Sequence, residues 1–209
     1  MPKDKKNPPI LNAGRTAPGQ VRVIGGLWKR SNIPVKDALG LRPTPERVRE
    51  TLFNWIGPSI VGSHCLDLFA GSGALGLEAL SRGAAWVQFN ETNAQALASL
   101  RALLLKLQQP PFASWQFSGQ DALQALKDSR LLAQMEDRKL DFAFLDPPFG
   151  HDWLLKVVPR LAPLLAPAAK IYIESDAPFA YPGLNLLKSG KAGQVHYHLF
   201  QNALVQHPL

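Results

Sequence analysis

The stretch DLFAGSGALG, residues 67–76, decides the fold because it joins a short apolar run to a helical pattern through closely spaced glycines. Gly71, Gly73 and Gly76 match the spacing G-x-G-x-x-G, and Glu91 follows Gly71 by 20 residues, as in dinucleotide-binding folds. Glycines allow a tight turn and close approach of a ligand to the backbone, and the following helix offers unpaired amide groups. The stretch therefore predicts a strand–loop–helix unit, which is either a ligand-binding loop or a tight turn that binds nothing.

The acid at the start of this stretch narrows the kind of ligand. Asp67 precedes the first glycine by four residues. A carboxylate there repels a pyrophosphate but attracts a cationic amino-acid group, because opposite charges at short range stabilise each other. A dinucleotide and a cationic ligand both remain open from the loop alone.

Outward from the loop, short apolar runs alternate with longer amphipathic segments. Strands are predicted at residues 64–69, 85–89, 113–117, 140–145 and 169–174. Helices are predicted at residues 74–82, 93–107 and 153–161, with another beginning at 120. Ser189, Gly190 and Gly193 predict turns before a last antiparallel strand at 195–200. This alternation predicts an α/β fold with a mostly parallel sheet covered on both faces, and a ligand site at the carboxyl ends of the strands.

A second motif, DPPF at residues 146–149, follows the predicted strand at 140–145. Pro147 and Pro148 end the strand and stiffen the backbone. The Asp146 carboxylate and the Pro147 carbonyl form two acceptors beside the ring of Phe149. This set suits a planar group bearing an NH2, whose protons the acceptors take and whose face the ring covers. The alternative is a proline turn that caps a strand, with Phe149 in the core.

The positive charge of the chain is confined to its first quarter. Of the formal net charge of +7, residues 1–50 contribute 11 Lys/Arg and 4 Asp/Glu, and the remaining residues contribute 12 of each. Such a block indicates contact with a polyanion, most often nucleic acid. The cations that we expect to contact the nucleic acid are Arg22, Lys29, Arg30, Arg42 and Arg47.

Three segments are predicted along the chain. Residues 1–19 form a flexible basic tail, residues 20–58 an RNA-contacting hairpin and helix, and residues 59–209 the catalytic domain. In the second segment, residues 20–24 and 28–35 read as strands joined by a glycine turn, and Trp28 either stacks on RNA or packs in the core. Thr44 is expected to cap a helix that begins at Pro45 and Glu46.

Composition excludes several classes of protein. Cys65 is the single cysteine, so an internal disulfide is excluded and a reducing compartment is indicated. No apolar run approaches the roughly 18 residues of a membrane span, and no signal peptide is evident at the start. His196 and His198 alternate on a predicted strand without the other ligands that a metal site needs, so no metal is expected. We expect a cytoplasmic protein that acts as a monomer.

The two loops resemble those of S-adenosylmethionine-dependent amino methyltransferases. The segments VRVIGGLW (21–28), LRPTPERVRETLFNW (41–55) and GALGLEALSRGA (73–84) are more specific. They are similar to the bacterial 16S ribosomal RNA guanine-N2 methyltransferase family of RsmD type, over about residues 20–201. The resemblance implies a class I methyltransferase fold, Rossmann-like with a seven-stranded, mostly parallel sheet, preceded by a small β-hairpin and helix. It also implies a 16S rRNA substrate, either naked or in an assembling small subunit.

The resemblance also implies roles for individual residues. Asp67, Gly71 and Gly73 surround the methionine part of S-adenosylmethionine, and Phe69 and Ser72 belong to the same loop. Asn90 stands where the family has the acid that binds the ribose, and the neighbouring Glu91 is the alternative. Asp121 lies beside the adenine amine or else caps a helix. Asp146, Pro147, Pro148 and Phe149 form the catalytic loop.

Other functions stay open from the sequence. The same chemistry serves amino methyltransferases that modify DNA adenine or a protein glutamine, and only the amino-terminal resemblance argues against them. A nicotinamide-dependent oxidoreductase fits the glycine spacing but leaves DPPF unexplained. A non-enzymatic RNA-binding protein on the same fold is the remaining alternative.

Overall fold

The computed structural model describes residues 20–34, 44–111 and 113–204. The predicted basic tail (1–19) and Arg42 lie outside the described residues, as does Val35 of the predicted second strand. Among the described residues, no helix is both long and apolar enough to cross a membrane.

The central sheet has seven strands. They are β3 (His64–Asp67), β4 (Trp86–Asn90), β5 (Ser114–Ser118), β6 (Leu140–Leu145), β7 (Leu165–Ser175), β8 (Leu184–Ala192) and β9 (Val195–Asn202). Their order is β5-β4-β3-β6-β7-β9-β8, and β9, which is antiparallel to both β7 and β8, is the one strand of this sheet that runs opposite to the others. This is the mostly parallel α/β sheet that the sequence predicted.

Helices cover both faces of the sheet. They are α1 (Glu46–Ile56), α2 (Ala74–Ser81), α3 (Ala94–Leu104), α4 (Ala122–Ala125), α5 (Ser129–Asp137) and α6 (Trp153–Leu161), with 3-10 turns at Gly57–Ile60 and Ala162–Leu164. The buried side chains of α1, α2 and α3 form one apolar cluster with one face of the sheet, and those of α4, α5 and α6 form a second cluster with the other face. The segment predicted as one helix from residue 120 is therefore two helices, α4 and α5.

The amino-terminal extension contains a hairpin whose strands are β1 (Gln20–Arg22) and β2 (Asn32–Pro34). The prediction of a strand over 28–35 was wrong at its start. Trp28 lies in a turn with 4% of its surface exposed, and its indole nitrogen donates to the Gln108 carbonyl at 2.7 Å. The ring is therefore part of the core and is not available to stack on RNA.

A buried carboxylate fastens the hairpin to the catalytic domain. Glu78 on α2 accepts hydrogen bonds from the backbone amides of Ile24 and Gly25, both at 2.8 Å. It also pairs with Arg82 at 2.6 Å and with the buried Arg49 of α1 at 3.7 Å. Because these partners lie in the hairpin, in α1 and at the end of α2, Glu78 fixes the three elements relative to one another.

The carboxyl-terminal hairpin corrects a second prediction. The turn predicted at Ser189 and Gly190 is absent from the described structure, because β8 continues through both residues and Gly190 pairs with Tyr197. A Cβ atom at Gly190 would lie 2.3 Å from the Tyr197 ring. The glycine thus makes room for an aromatic side chain, and the reversal occurs at Gly193, whose φ is +62°.

We expect Glu78→Ala to lower the free energy of unfolding by about 3–5 kcal/mol, because it leaves the Arg49 guanidinium buried without its carboxylate. Urea denaturation measures the loss. Glu136→Ala, on the exposed face of α5, is the matched control and should change the midpoint little. An unchanged midpoint for Glu78→Ala would show that the hairpin is held by other contacts.

Candidate active site

The glycine loop lies at the carboxyl end of β3, in the middle of the sheet. Asp67 is the last residue of that strand, and its Oδ2 accepts a hydrogen bond from the Gly76 amide at 2.9 Å. Only 2% of its surface is exposed. Burial raises the pKa of the Asp67 carboxyl to about 7, and the nearby charge of Glu91 acts in the same direction. Asp67 is therefore ready to ionise when a cation arrives.

The glycines of this loop are required for different structural reasons. Gly71 and Gly73 have φ values of +54° and +78°, the left-handed region that favours glycine. A Cβ atom at Gly73 would lie 2.6 Å from Leu100, and one at Gly76 would lie 2.3 Å from Phe89. Two of the three glycines are thus needed for packing α2 against its neighbours. The G-x-G-x-x-G spacing is therefore no specific sign of a pyrophosphate here.

Asn90 and Glu91, the two alternatives for the ribose, have different surroundings at the end of β4. Glu91 reaches the glycine loop, where its Oε2 accepts from the Gly71 amide at 2.7 Å and its Oε1 from the Asn93 amide at 2.7 Å. Asn90 donates its side-chain amide to the Leu68 carbonyl at 3.0 Å, while its buried Oδ1 has no partner among the described residues. Glu91 thus stabilises the glycine loop, whereas Asn90 keeps an acceptor that no described residue contacts.

The remaining residues predicted to bind the cofactor lie around the same edge. The Asp121 carboxylate caps α4 by accepting from the amides of Leu123 and Gln124 at 2.9 and 3.2 Å. Ser72 is half-buried in the glycine loop. Phe69 contacts Trp153 edge-on, with 5.9 Å between ring centres. Trp153 is an aromatic neighbour that the sequence analysis did not single out.

The DPPF loop follows β6, directly beside the glycine loop, because β6 pairs in parallel with β3. Pro147 is buried, and among the described residues no backbone amide donates to its carbonyl. Phe149 is 47% exposed, so the alternative of a core phenylalanine does not hold. The loop thus presents an exposed aromatic ring within three residues of the acceptors of Asp146 and Pro147.

Sequence reasoning missed the partners of Asp146. Thr44 does not cap α1, which begins at Glu46 after Pro45. Its Oγ1 instead lies 3.2 Å from Asp146 Oδ2 and 2.9 Å from Glu174 Oε1. Glu174 stands near the end of β7, and Tyr172 donates to the same Oε1 at 2.8 Å. The signal in the sequence was an acid at the carboxyl end of a predicted parallel strand.

The pKa values in this group reflect its burial. Burial raises the pKa of Asp146 well above its usual range, and the neighbouring charge of Glu174 raises it further. Burial likewise raises the pKa of Glu174, although hydrogen bonds from Tyr172 and Thr44 oppose the shift. The two carboxyls therefore resist being ionised together.

The predicted RNA-contacting cations differ in availability. Lys29, Arg30 and Arg47 are exposed, and Arg30 adopts the left-handed region with φ of +73°. Arg22 is 39% exposed in its side chain and pairs with Glu46 at 2.9 Å. The turn that carries Lys29 and Arg30 is held at the end of α2 away from the glycine loop, because the Trp28 amide donates to Ser81 at 2.9 Å.

The sheet order, with one loop after β3 and the other after β6, defines a class I methyltransferase fold. The family described as "Conserved hypothetical protein 95" matches residues 21–201. The chain belongs to this family, which is the RsmD-type family that the sequence motifs predicted.

Known relatives agree with the assignment. Ribosomal RNA small subunit methyltransferase D of Escherichia coli K12 is 41% identical over 189 residues, 88% of this chain and 90% of the relative. The protein of the same name from Haemophilus influenzae is 41% identical over 191 residues, 89% of this chain and 96% of the relative. The solved structure of the putative methyltransferase yhhF from Escherichia coli is 38% identical, with a TM-score of 0.73, over 90% of this chain and 100% of that chain. The predicted fold class is confirmed.

We expect the free energy of unfolding of Asp67→Asn, relative to wild type, to be higher at pH 8 than at pH 5 by about 2 kcal/mol. The pKa of Asp67 is higher in the folded protein than in the unfolded chain, so its contribution to stability is lost as the pH rises toward 7. Asparagine keeps an acceptor for the Gly76 amide but does not titrate. Urea denaturation of both proteins at the two pH values measures the difference, and a pH-independent difference would contradict the assignment.

Proposed function

We propose that this protein transfers a methyl group from S-adenosylmethionine to the exocyclic 2-amino group of a guanine in 16S ribosomal RNA. The observation that carries the proposal is the exposed ring of Phe149 in the same short loop as the acceptors of Asp146 and Pro147, at the sheet edge that also holds the glycine loop. The names of the relatives point to the same class of substrate.

The residues around the glycine loop fit S-adenosylmethionine. Asp67 offers a buried carboxylate to the cationic amino-acid part. The unpartnered Oδ1 of Asn90 and the carboxylate of Glu91 are acceptors for the ribose hydroxyls, and Asp121 and Phe69 are the proposed neighbours of the adenine. When bound, the cofactor supplies an activated methyl group. A nicotinamide dinucleotide is a poorer candidate, because Asp67 repels a pyrophosphate.

The DPPF loop has the groups needed to orient an amine. The guanine amine is a poor nucleophile because its lone pair is delocalised into the ring. Hydrogen bonds from its two protons to Asp146 and to the Pro147 carbonyl favour a pyramidal nitrogen with a directed lone pair. These bonds strengthen as positive charge develops on the nitrogen, so they stabilise the transition state more than the ground state. The base must be unpaired or flipped out to reach this loop.

The amino-terminal extension is proposed to hold the RNA. Its exposed cations, Lys29, Arg30 and Arg47, are candidates for phosphate contacts, whereas Arg22 is partly engaged by Glu46. A large RNA, naked or in an assembling subunit, is long enough to contact both the hairpin and the DPPF loop. We place the protein in the cytoplasm and expect it to act as a monomer.

We expect Asp146→Ala to abolish methyl transfer while leaving cofactor affinity nearly unchanged, because Asp146 contacts the amine in this mechanism. Transfer from labelled cofactor to unmodified small-subunit RNA and particles, with mapping of the modified base, measures the reaction. Calorimetry with S-adenosylhomocysteine measures the affinity.

Asp137→Ala, an exposed acid at the end of α5, is the matched control for that experiment. Full activity in Asp146→Ala would refute the mechanism. Thermal stabilisation by NAD but not by S-adenosylhomocysteine would refute the cofactor, because only a bound ligand stabilises the fold.

We expect the double variant Lys29→Gln and Arg30→Gln to weaken RNA binding and to reduce the slope of log affinity against log salt by about 1–2. Cofactor affinity should not change. Lys127→Gln with Lys139→Gln removes the same charge from exposed positions near α4 and α5, and should leave the slope as it is. An unchanged slope in the Lys29→Gln and Arg30→Gln variant would show that the hairpin is not part of the RNA-binding surface.

A further inference from the structure

Three parts of the chain meet at the catalytic acid. Leu145 of β6 lies opposite Ile173 of β7 in a parallel pair, so the next residues, Asp146 and Glu174, emerge side by side. The hydroxyl of Thr44, from the amino-terminal extension, lies between their carboxyls at 3.2 and 2.9 Å. Side chains on one face of a sheet repeat every second residue, so Tyr172 and Glu174 share the face that α1 covers.

The hydrogen bonds here can be satisfied only with one proton shared by the two acids. Thr44 carries a single hydroxyl proton, which can serve only one of the two ionised carboxyls. When one carboxyl is protonated it donates to the Thr44 oxygen, which in turn donates to the other. Tyr172 already donates to Glu174 at 2.8 Å, so Glu174 is the better stabilised anion and Asp146 holds the proton.

We infer that Glu174 is a positioning residue for the methyl transfer, and that it acts through Thr44 to fix the Asp146 carboxyl and to share one proton with it. This inference rests on the proposed function. Oδ2 of Asp146 is held by Thr44, which directs the remaining oxygen, Oδ1, to the amine. The amino-terminal extension thereby contributes a group to the catalytic loop.

The surroundings of the pair determine its response to pH. Two further ionisable groups act on the pair directly, Asp67 on β3 and Tyr172 on β7, and Tyr197 on β9 in turn acts on Tyr172. From the side of α1, Arg49 donates to the Thr44 carbonyl at 3.3 Å. Burial, and after it the charge of Glu174, raises the pKa of Asp146, whereas the Thr44 hydrogen bond lowers it.

Replacing each of the two partners of Asp146, Glu174 and Thr44, should therefore shift the acidic limb of the pH–rate profile in opposite directions. An ionised Asp146 is the stronger acceptor, so the acidic limb of the rate profile follows its deprotonation. Glu174→Gln removes a negative charge and should move this limb to lower pH by about one unit. When Asp146 ionises, the Thr44 hydroxyl can donate to it instead of to Glu174, because Tyr172 still donates to Glu174. Thr44→Val removes this hydrogen bond to the carboxylate and should move the limb to higher pH, with kcat reduced about tenfold and KM for the cofactor unchanged. Thr44→Ser retains the hydroxyl and should keep the limb in its original place.

The experiment measures kcat against pH for wild type, Glu174→Gln, Thr44→Val and Thr44→Ser, with Glu136→Gln as the matched control for removing a glutamate charge. Thermal melting confirms that each variant is folded. Opposite shifts in the two variants support the inference. Reduced rates with an unshifted limb, or shifts in the same direction, overturn it.

A second readout separates this inference from the proposed function. Carbon NMR of labelled aspartate and glutamate follows the ionisation of Asp146 and Glu174 in the protein without substrate. If wild type fails to methylate small-subunit RNA, the proposed function is wrong, and the carboxyl titrations still decide whether the acids are coupled. An Asp146 titration that Glu174→Gln does not move overturns the coupling, even if the enzyme is fully active.

Discussion

The parallel pairing of β3 with both β4 and β6 is the constraint on which the site depends. Asp67 lies opposite Phe89 on one side and Phe144 on the other, so three strands end at the same level. The glycine loop, Glu91 and the DPPF loop are consequently neighbours, although up to 75 residues separate Gly71 from Asp146. Parallel strands place their ligand-binding loops at one edge in this way because each connection returns the chain to the same starting end.

The amino-terminal extension presents cations on its surface and a hydroxyl group to Asp146, and the buried carboxylate of Glu78 holds both in place. Glu78 binds the hairpin amides and lies against Arg49, and Arg49 in turn donates to the carbonyls of Arg22 and Thr44. The exposed cations of the extension are thereby held rigidly on the outside, while the Thr44 hydroxyl is held inside against Asp146. The segment that carries the predicted RNA contacts thus also contacts the acid of the DPPF loop.

The features that could be predicted from the sequence are those that depend on residues close to one another along the chain. Asp67 and Asp146 follow apolar runs and precede glycines or prolines, so both their strands and their loops could be identified. The contact between Thr44 and Glu174 could not, because it spans 130 residues, and the local pattern around Thr44 predicted only a helix cap. Gly190 was misread for a similar reason, since the need for a glycine arises from the Tyr197 ring on the paired strand and not from its own neighbours.

Charges of opposite sign are separated between the surface and the interior, as well as along the chain. Residues 51–209 have no net charge, yet three of their acids, Asp67, Asp146 and Glu174, converge at one edge of the sheet in a largely buried cluster. Such a cluster is costly in the free protein, as the raised pKa values of all three show. In the proposed reaction the cluster becomes favourable, because the cofactor is cationic and the amine gains positive charge. A polyanion bound to the exposed cations of the extension and a cationic cofactor bound among the acids are therefore compatible, because opposite charges meet in both places.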